Sequence, residues 1–384
     1  MKPRVLFYVQ HLLGVGHVKR AAVIAHAAAR DLDVHVALGG EPVALADFGA
    51  ATLHQLPWTR AEDVTFATLL DADGRAIDAA WQQRRKSMVL ALAERIDPHV
   101  LLVEHFPFGR GKFAFELLPL FEMIRAAPGH RRILCSVRDV LVEKSDGAKS
   151  ARILGLVRQW LDGVLVHGDK QVIPFEATFP AAAAIGELLE YTGYVVDGAD
   201  RPMIEALRSR DSEIVVSIGG GAVGKELLQA ALAAAQAGVL APRHWRLLAG
   251  TNLPEPQFQA LRAQAAGDAR VTVERARPDF RQLLGNASLS ISQAGYNTVM
   301  DVLVAGCPAV VVPFAAEAEG EQLFRAREFE RRGLLTVLEE GRLTPQALAT
   351  AATAALTQPS AGHGIDLDGA RAAARALQRW AGAA

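Results

Sequence analysis

The chain alternates short β-branched and aliphatic runs with longer, Ala-rich stretches of helical period, and it does so in two series. Arg4–Val9, Val34–Leu38, Val100–Val103, Ile133–Val137 and Gly163–Val166 read as strands, because each run is too short for a helix and ends in turn residues. Between them, Val18–Ala29 and Trp81–Ile96 read as helices, the second stopped at Asp97-Pro98, since proline excludes the residue before it from helical backbone. Pro57–Ala76, with its two acidic turns, reads as loop. Tyr191–Val195 and the polar residues up to Ser212 read as a connection. A second series then opens at Ile214–Ile218 and runs through Trp245–Leu248, Val271–Val273, Leu289–Ile291 and Ala309–Val312. Such alternation predicts an α/β architecture, two doubly wound parallel sheets with helices on both faces, set across a cleft. The expected domains are residues 1–192 and 193–384. The final helix, Gly369–Trp380, has no partner assignable from sequence, and packing back on the amino-terminal domain is one option for it.

Composition narrows the class. A length of 384 residues exceeds one ordinary core and suits two domains. Half the residues are hydrophobic (51%), yet no apolar run reaches the roughly 18–20 residues of a membrane span. The first residues pass straight into a strand, so no secretory signal is expected. Cys135 and Cys307, beside or within apolar runs, read as reduced core thiols of a cytoplasmic protein. A net charge of −1 makes nucleic acid a poor partner.

Chemistry gathers at the ends of certain strands. Ser290-Ile-Ser-Gln-Ala-Gly-Tyr-Asn-Thr-Val-Met-Asp301 runs a strand into a glycine turn and a helix bearing one acid about two turns in; Gly306-Cys-Pro308 then feeds a second strand, followed by Glu321-Gln322. The helix start behind Gly295 can receive an anion, and Asp301 can accept from a diol. Ser217-Ile-Gly219-Gly220-Gly221-Ala-Val-Gly224-Lys225-Glu226 imitates a P-loop, but Glu226 stands where a Mg²⁺-binding Ser or Thr is required. The glycines can still cradle a diphosphate. In the first series, Gly14-Val-Gly16-His17 joins a strand to a helix, and Lys19 occupies the third glycine position of a dinucleotide fingerprint. His17 reads either as a helix-start residue or, preferably, as a group facing a ligand. The acidic pairs Asp31/Asp33, Asp71/Asp73 and Asp366/Asp368 do not end strands at the cleft, so no metal site is expected. Glu104-His105-Phe-Pro-Phe-Gly-Arg110-Gly-Lys112-Phe113 follows a strand end. It reads equally as a ligand or lipid-headgroup contact and as a core stripe of Phe113, Leu117 and Leu120 with Arg110 and Lys112 solvated.

These motifs resemble glycosyltransferase family 28, of the GT-B fold. Gly14-Val-Gly16-His17 is similar to that family's amino-terminal glycine loop, although Lys19-Arg20 replace a proline-bearing stretch. The segment from Ile214 to Leu334 carries the stronger similarity. The resemblance implies two Rossmann-like domains and a nucleotide-sugar donor, UDP above all, held by Gly219, Gly220, Gly221, Gln293, Ala294, Gly295, Asn297, Thr298, Asp301, Glu321 and Gln322. It implies an inverting, metal-independent transfer of a hexose or N-acetylhexosamine with His17 as base and no cofactor. Gly14, Gly16, Glu104, His105 and Arg110 would line the acceptor side. The acceptor class stays open among glycan, lipid and small molecule, with peripheral contact to the inner membrane face one consequence. A sugar-nucleotide epimerase or hydrolase, or a non-catalytic binder, would use the same donor residues.

Overall fold

Each apolar run of the first series becomes a parallel strand. In the computed structural model, which describes residues 2–12, 16–43, 46–63, 66–141, 147–197, 213–219, 224–314, 320–358 and 364–382, the chain divides into two units, Met1–Asp197 with Ile365–Ala384, and Gly198–Gly364. The first unit contains, in order, β1 (Arg4–Val9), α1 (Gly16–Ala28), β2 (Asp33–Leu38), β3 (Thr52–Gln55), β4 (Arg60–Ala61), β5 (Leu69–Leu70), α2 (Ala79–Ile96), β6 (Val100–Glu104), α3 (Ala114–Ala126), β7 (Arg132–Arg138), α4 (Gly147–Trp160), β8 (Gly163–His167) and β9 (Leu189–Tyr191). Its main sheet has the order β3-β2-β1-β6-β7-β8-β9, parallel throughout. β4 and β5 form a small antiparallel hairpin inside the stretch expected to be loop. Asp78 caps α2 by accepting from Trp81 N at 2.7 Å, and the helix ends at Asp97 in left-handed conformation just before Pro98.

The second unit repeats the plan with β10 (Glu213–Ser217), α5 (Lys225–Gln236), β11 (His244–Ala249), α6 (Glu255–Ala265), β12 (Val271–Arg275), α7 (Phe280–Asn286), β13 (Leu289–Gln293), α8 (Tyr296–Ala305), β14 (Ala309–Val312), α9 (Gly320–Glu330), β15 (Thr336–Val337) and α10 (Pro345–Thr357). Its order is β12-β11-β10-β13-β14-β15, again parallel. Ile214, Val216, Leu247 and Val310 bury one face against α5, α6 and α10, while Val215 and Val311 on alternate positions are buried as well. Both faces are therefore covered, as parallel sheets require. Cys135 and Cys307 are buried free thiols.

The last helix, α11 (Gly369–Gly382), belongs to the first unit. Ala373, Ala376 and Leu377 join Val5, Phe7 and Val9 of β1 and Ala21, Ala25 and Ala28 of α1 in one cluster. Alanines on both helices let their backbones approach closely. At Gly369 an added Cβ would lie 2.4 Å from Gly193 O, so only glycine fits where the chain returns. Residues 191–195, read as connection, are built into this unit too: Tyr194 is fully buried and Val195 bridges to Asp368. The division thus runs after residue 197 rather than 192, with residues 365–384 on the first side.

Candidate active site

In the first sheet, chain order reverses between β1 and β6, and open α/β sheets bind ligands at the carboxyl ends of the strands flanking such a switch. His17, the second residue of α1, follows β1, and Glu104 ends β6. His17 Nδ1 lies 2.9 Å from Glu104 Oε1. A carboxylate only accepts, so Nδ1 carries the imidazole proton and Nε2 keeps its lone pair. Arg20, one turn further along α1, also donates to Glu104 Oε1, and Ser136 Oγ donates to Oε2 at 2.9 Å. Glu104 is fully buried. Its carboxylate is turned to His17, Arg20 and Ser136 rather than to the surface.

The surroundings keep this histidine neutral. Burial first, then the charges of Arg138, Arg110, Arg20 and His105, holds His17 well below the ordinary imidazole range. A neutral imidazole with a defined tautomer is competent to take a proton. His105 packs edge-on to it, ring centroids 5.6 Å apart, and burial followed by Arg110 lowers His105 to about 3. His105 has a φ of 69°, an uncommon conformation for a residue with a side chain. A Cβ on Gly109 would meet its ring at 2.4 Å. Arg110 Nε donates to Gln10 O at 3.0 Å, so this arginine is tied down rather than solvated. Arg20 Nε and Nη1, His105 Nδ1 and His11 Nδ1 are buried with no hydrogen-bond partner among the described residues. Polar atoms left in that state are ones a bound polar ligand or water can satisfy.

In the second sheet the switch falls between β10 and β13. Gly219 follows β10 with φ 66°, and its N–H donates to Ser217 Oγ at 3.1 Å. Gly295 caps α8 with no side-chain bond to the first-turn amides. Thr298 Oγ1 lies 3.7 Å from the Cβ position of Gly219 and 4.0 Å from that of Gly295, so the loop after β10 and the start of α8 meet at this side chain. Gln293 ends β13 against Gly224, where a Cβ would approach Nε2 to 2.8 Å. Ala294 is buried, Asn297 partly exposed. Asp301 is partly exposed on α8 and accepts from Arg281 Nε at 3.0 Å. Gln322 Oε1 accepts from Phe314 N at 3.3 Å, tying the start of α9 to the segment after β14, and within α9 Arg325 Nη2 donates to Glu321 Oε1 at 2.6 Å. Backbone amides at a helix start, a glycine loop and an acid two turns on can together bind a diphosphate and a diol.

Residues 215–363 match the glycosyltransferase family 28 C-terminal domain. The chain is a GT-B protein with a family 28 carboxy-terminal domain. The Caulobacter vibrioides UDP-N-acetylglucosamine--N-acetylmuramyl-(pentapeptide) pyrophosphoryl-undecaprenol N-acetylglucosamine transferase is 28% identical over 195 residues, 47% of this chain and 52% of that protein. The chain spans about half the length of the curated relatives it matches. Among solved structures, the calicheamicin glycosyltransferase CalG4 superposes with a TM-score of 0.61 at 17% identity, covering 100% of this chain and 94% of that one. Acinetobacter baumannii MurG gives 0.59 at 18%, covering 98% and 99%.

Within this GT-B protein, the described residues expected on the acceptor side flank the switch point of the first sheet, and Gly219, Gln293, Ala294, Gly295, Asn297 and Thr298 flank that of the second, while Asp301 lies further along α8 on Arg281 and Glu321 and Gln322 open α9, after β14. Gly16 opens α1 beside His17; Gly14, Gly220 and Gly221 lie outside the described residues. Of the two readings of the aromatic segment after β6, burial favours the core stripe. Phe106, Phe108 and Phe113 are buried, as are Leu117 and Leu120, so these rings fill the core and do not form a lipid-facing surface. Among the described residues no helix is long and apolar enough to cross a membrane. Sequence reasoning missed Arg20, Ser136 and Arg281. Arg20 carried a signal, a charge on the inward side of an Ala-rich helix; Ser136 and Arg281 carried none.

Proposed function

We propose that the chain transfers a hexose or N-acetylhexosamine from a nucleoside-diphosphate sugar to an acceptor hydroxyl, with inversion and without a divalent metal. The observation that carries this reading is the His17–Glu104 pair, 2.9 Å apart at the switch point of the first sheet. His17 Nε2 takes the hydroxyl proton as the acceptor oxygen forms its bond to the anomeric carbon, and the bond from that carbon to the diphosphate oxygen breaks. Glu104 stabilises the imidazolium that results. Charge on the departing diphosphate is met by the first-turn amides of α8 and by the amides of the glycines after β10. Asp301 accepts from the ribose hydroxyls, and Glu321 and Gln322 bind the sugar.

UDP-N-acetylglucosamine is the first donor to test, because the Caulobacter relative's name specifies it. The same name specifies an undecaprenol-linked acceptor, so polyprenyl-diphosphate-linked sugars belong in the acceptor panel beside glycans and small molecules, and a lipid-linked acceptor would bring the protein to a membrane surface. A panel of sugar nucleotides is titrated first, and product formation is then followed with and without acceptor. Transfer that falls about 10²–10⁴-fold in His17→Ala with donor affinity retained supports the reading. Donor consumption that needs no acceptor would replace it with hydrolysis or epimerisation, and full turnover in His17→Ala would remove the base.

A further inference from the structure

Glu104 is the first member of a longer polar row. Ser136 Oγ, donor to Glu104 Oε2, also lies 2.9 Å from His167 Nε2, and His167 Nδ1 lies 2.9 Å from Thr192 Oγ1. The four residues stand on neighbouring positions across the sheet: the end of β6, β7, the end of β8 and the turn after β9. Glu104 and Ser136 are register partners. All are buried, Thr192 at 2% exposure and the others at 0%. A polar row at that depth persists only if each member has a partner.

The protons in the row can be assigned one by one. The carboxylate of Glu104 only accepts, so Ser136 gives it its single hydroxyl proton and must accept from His167 Nε2–H. Burial, the largest cause, lowers His167 to about 3, so it is neutral and has one ring proton. That proton is on Nε2, leaving Nδ1 to accept from Thr192. Donation therefore runs one way, Thr192 to His167 to Ser136 to Glu104. Thr192 Oγ1 has two further acceptors within reach, Gly193 O at 3.1 Å and Val166 O at 3.4 Å. An Nδ1–H tautomer at His167, donating to Thr192 Oγ1, would instead turn the Ser136 proton to Nε2 and leave Glu104 Oε2 without its donor.

We propose that Ser136, His167 and Thr192 are positioning residues for the base, their one-way donor chain fixing Glu104 so that Oε1 holds His17 in its Nδ1–H tautomer. This rests on His17 being the base. Without the Ser136 donor, negative charge concentrates on Oε1, the imidazolium of His17 is favoured, and the pH at which the base protonates rises. The charged and titratable groups facing His17 are Arg20 on α1, Glu104, His105 and Arg110 at and after the end of β6, and Arg138 at the end of β7. Ser136→Ala leaves all of them in place.

The test compares wild type, Ser136→Ala, His167→Gln and His167→Met. Ser136→Ala should lower kcat by about 3–10-fold, the worth of one hydrogen bond, with donor KM within about twofold. The acid limb of kcat/KM should move up by about half a pH unit. His167→Gln keeps an N–H donor near the Nε2 position and should retain most of kcat, whereas His167→Met should behave like Ser136→Ala. Nitrogen-15 spectra of labelled histidines read the tautomers without turnover: Nδ1–H for His17 and Nε2–H for His167. An unchanged kcat and acid limb in Ser136→Ala, or an Nδ1–H tautomer at His167, would overturn the proposal. Full turnover in His17→Ala would instead remove the base on which it rests, an outcome the spectra keep separate.

Discussion

Asp301→Ala separates a ligand-binding carboxylate from a surface ion pair. The carboxylate now faces Arg281, Nε to Oδ1 at 3.0 Å, with 23% of the Asp301 and 28% of the Arg281 side chain exposed. A pair that open to water is worth about 0.2–1 kcal/mol, so the substitution should lower the stability of the second unit by no more than about 1 kcal/mol. Bonding a ribose diol is a larger effect, about 1.5–3 kcal/mol for a charged acceptor. At 1.4 kcal/mol per factor of ten, the Kd for UDP should rise about 10–100-fold. Arg281→Ala removes the same ion pair but keeps the carboxylate, so it should match Asp301→Ala in stability and weaken UDP less. Calorimetric titration of UDP and 2′-deoxy-UDP into the three proteins supplies the numbers. Wild type should prefer UDP, and Asp301→Ala should lose most of that preference. Equal UDP affinity in wild type and Asp301→Ala would refute the reasoning and leave Asp301 with a structural role beside Arg281.

Burial holds His11 at about 4 and His105 and His167 at about 3, against 6.5 for a free imidazole. Between about pH 6.5 and 4 the unfolded chain binds these protons and the folded unit does not, so stability falls as pH falls, with a slope from these three alone approaching about 4 kcal/mol per pH unit, and His17, held low in the same way, adds in the same direction. Denaturant melts from pH 7 to 4.5 check this, His167→Gln should make the slope shallower by about one proton, and a flat profile would contradict it. Leu377→Ala, at a side chain 1% exposed in the α1–α11 cluster, should cost the first unit about 2–5 kcal/mol. Calorimetry should show that loss with UDP affinity unchanged; an unaltered first-unit transition would mean α11 is dispensable. Transfer should survive EDTA, because amides meet the diphosphate charge; loss on chelation restored by Mn²⁺ or Mg²⁺ would count against the proposed mechanism.

Hydrophobic spacing was enough to place the central strands of both sheets, because a buried parallel strand is apolar over its whole length and needs little context. β1, β2, β10 and β14 lie where their runs predict, within a residue or two. β3, β9 and β15, the edge strands or nearly so, escaped because they are short and half-exposed, with no continuous apolar run. Glycines with a helix start behind them marked both candidate sites, since backbone approach to an anion leaves a local signature. The partners of the key side chains left none. Arg20 and Glu104 are 84 residues apart and meet because β6 lies beside β1. Ser136 and His167 join them because β7 and β8 come next in the sheet. The place of α11 was likewise decided by a surface, the small-residue face of α1, presented by a segment more than 340 residues earlier. Local pattern determines which residues are strand, helix or turn; which distant side chains share a proton follows from strand order, and strand order is set only when whole apolar faces are buried together.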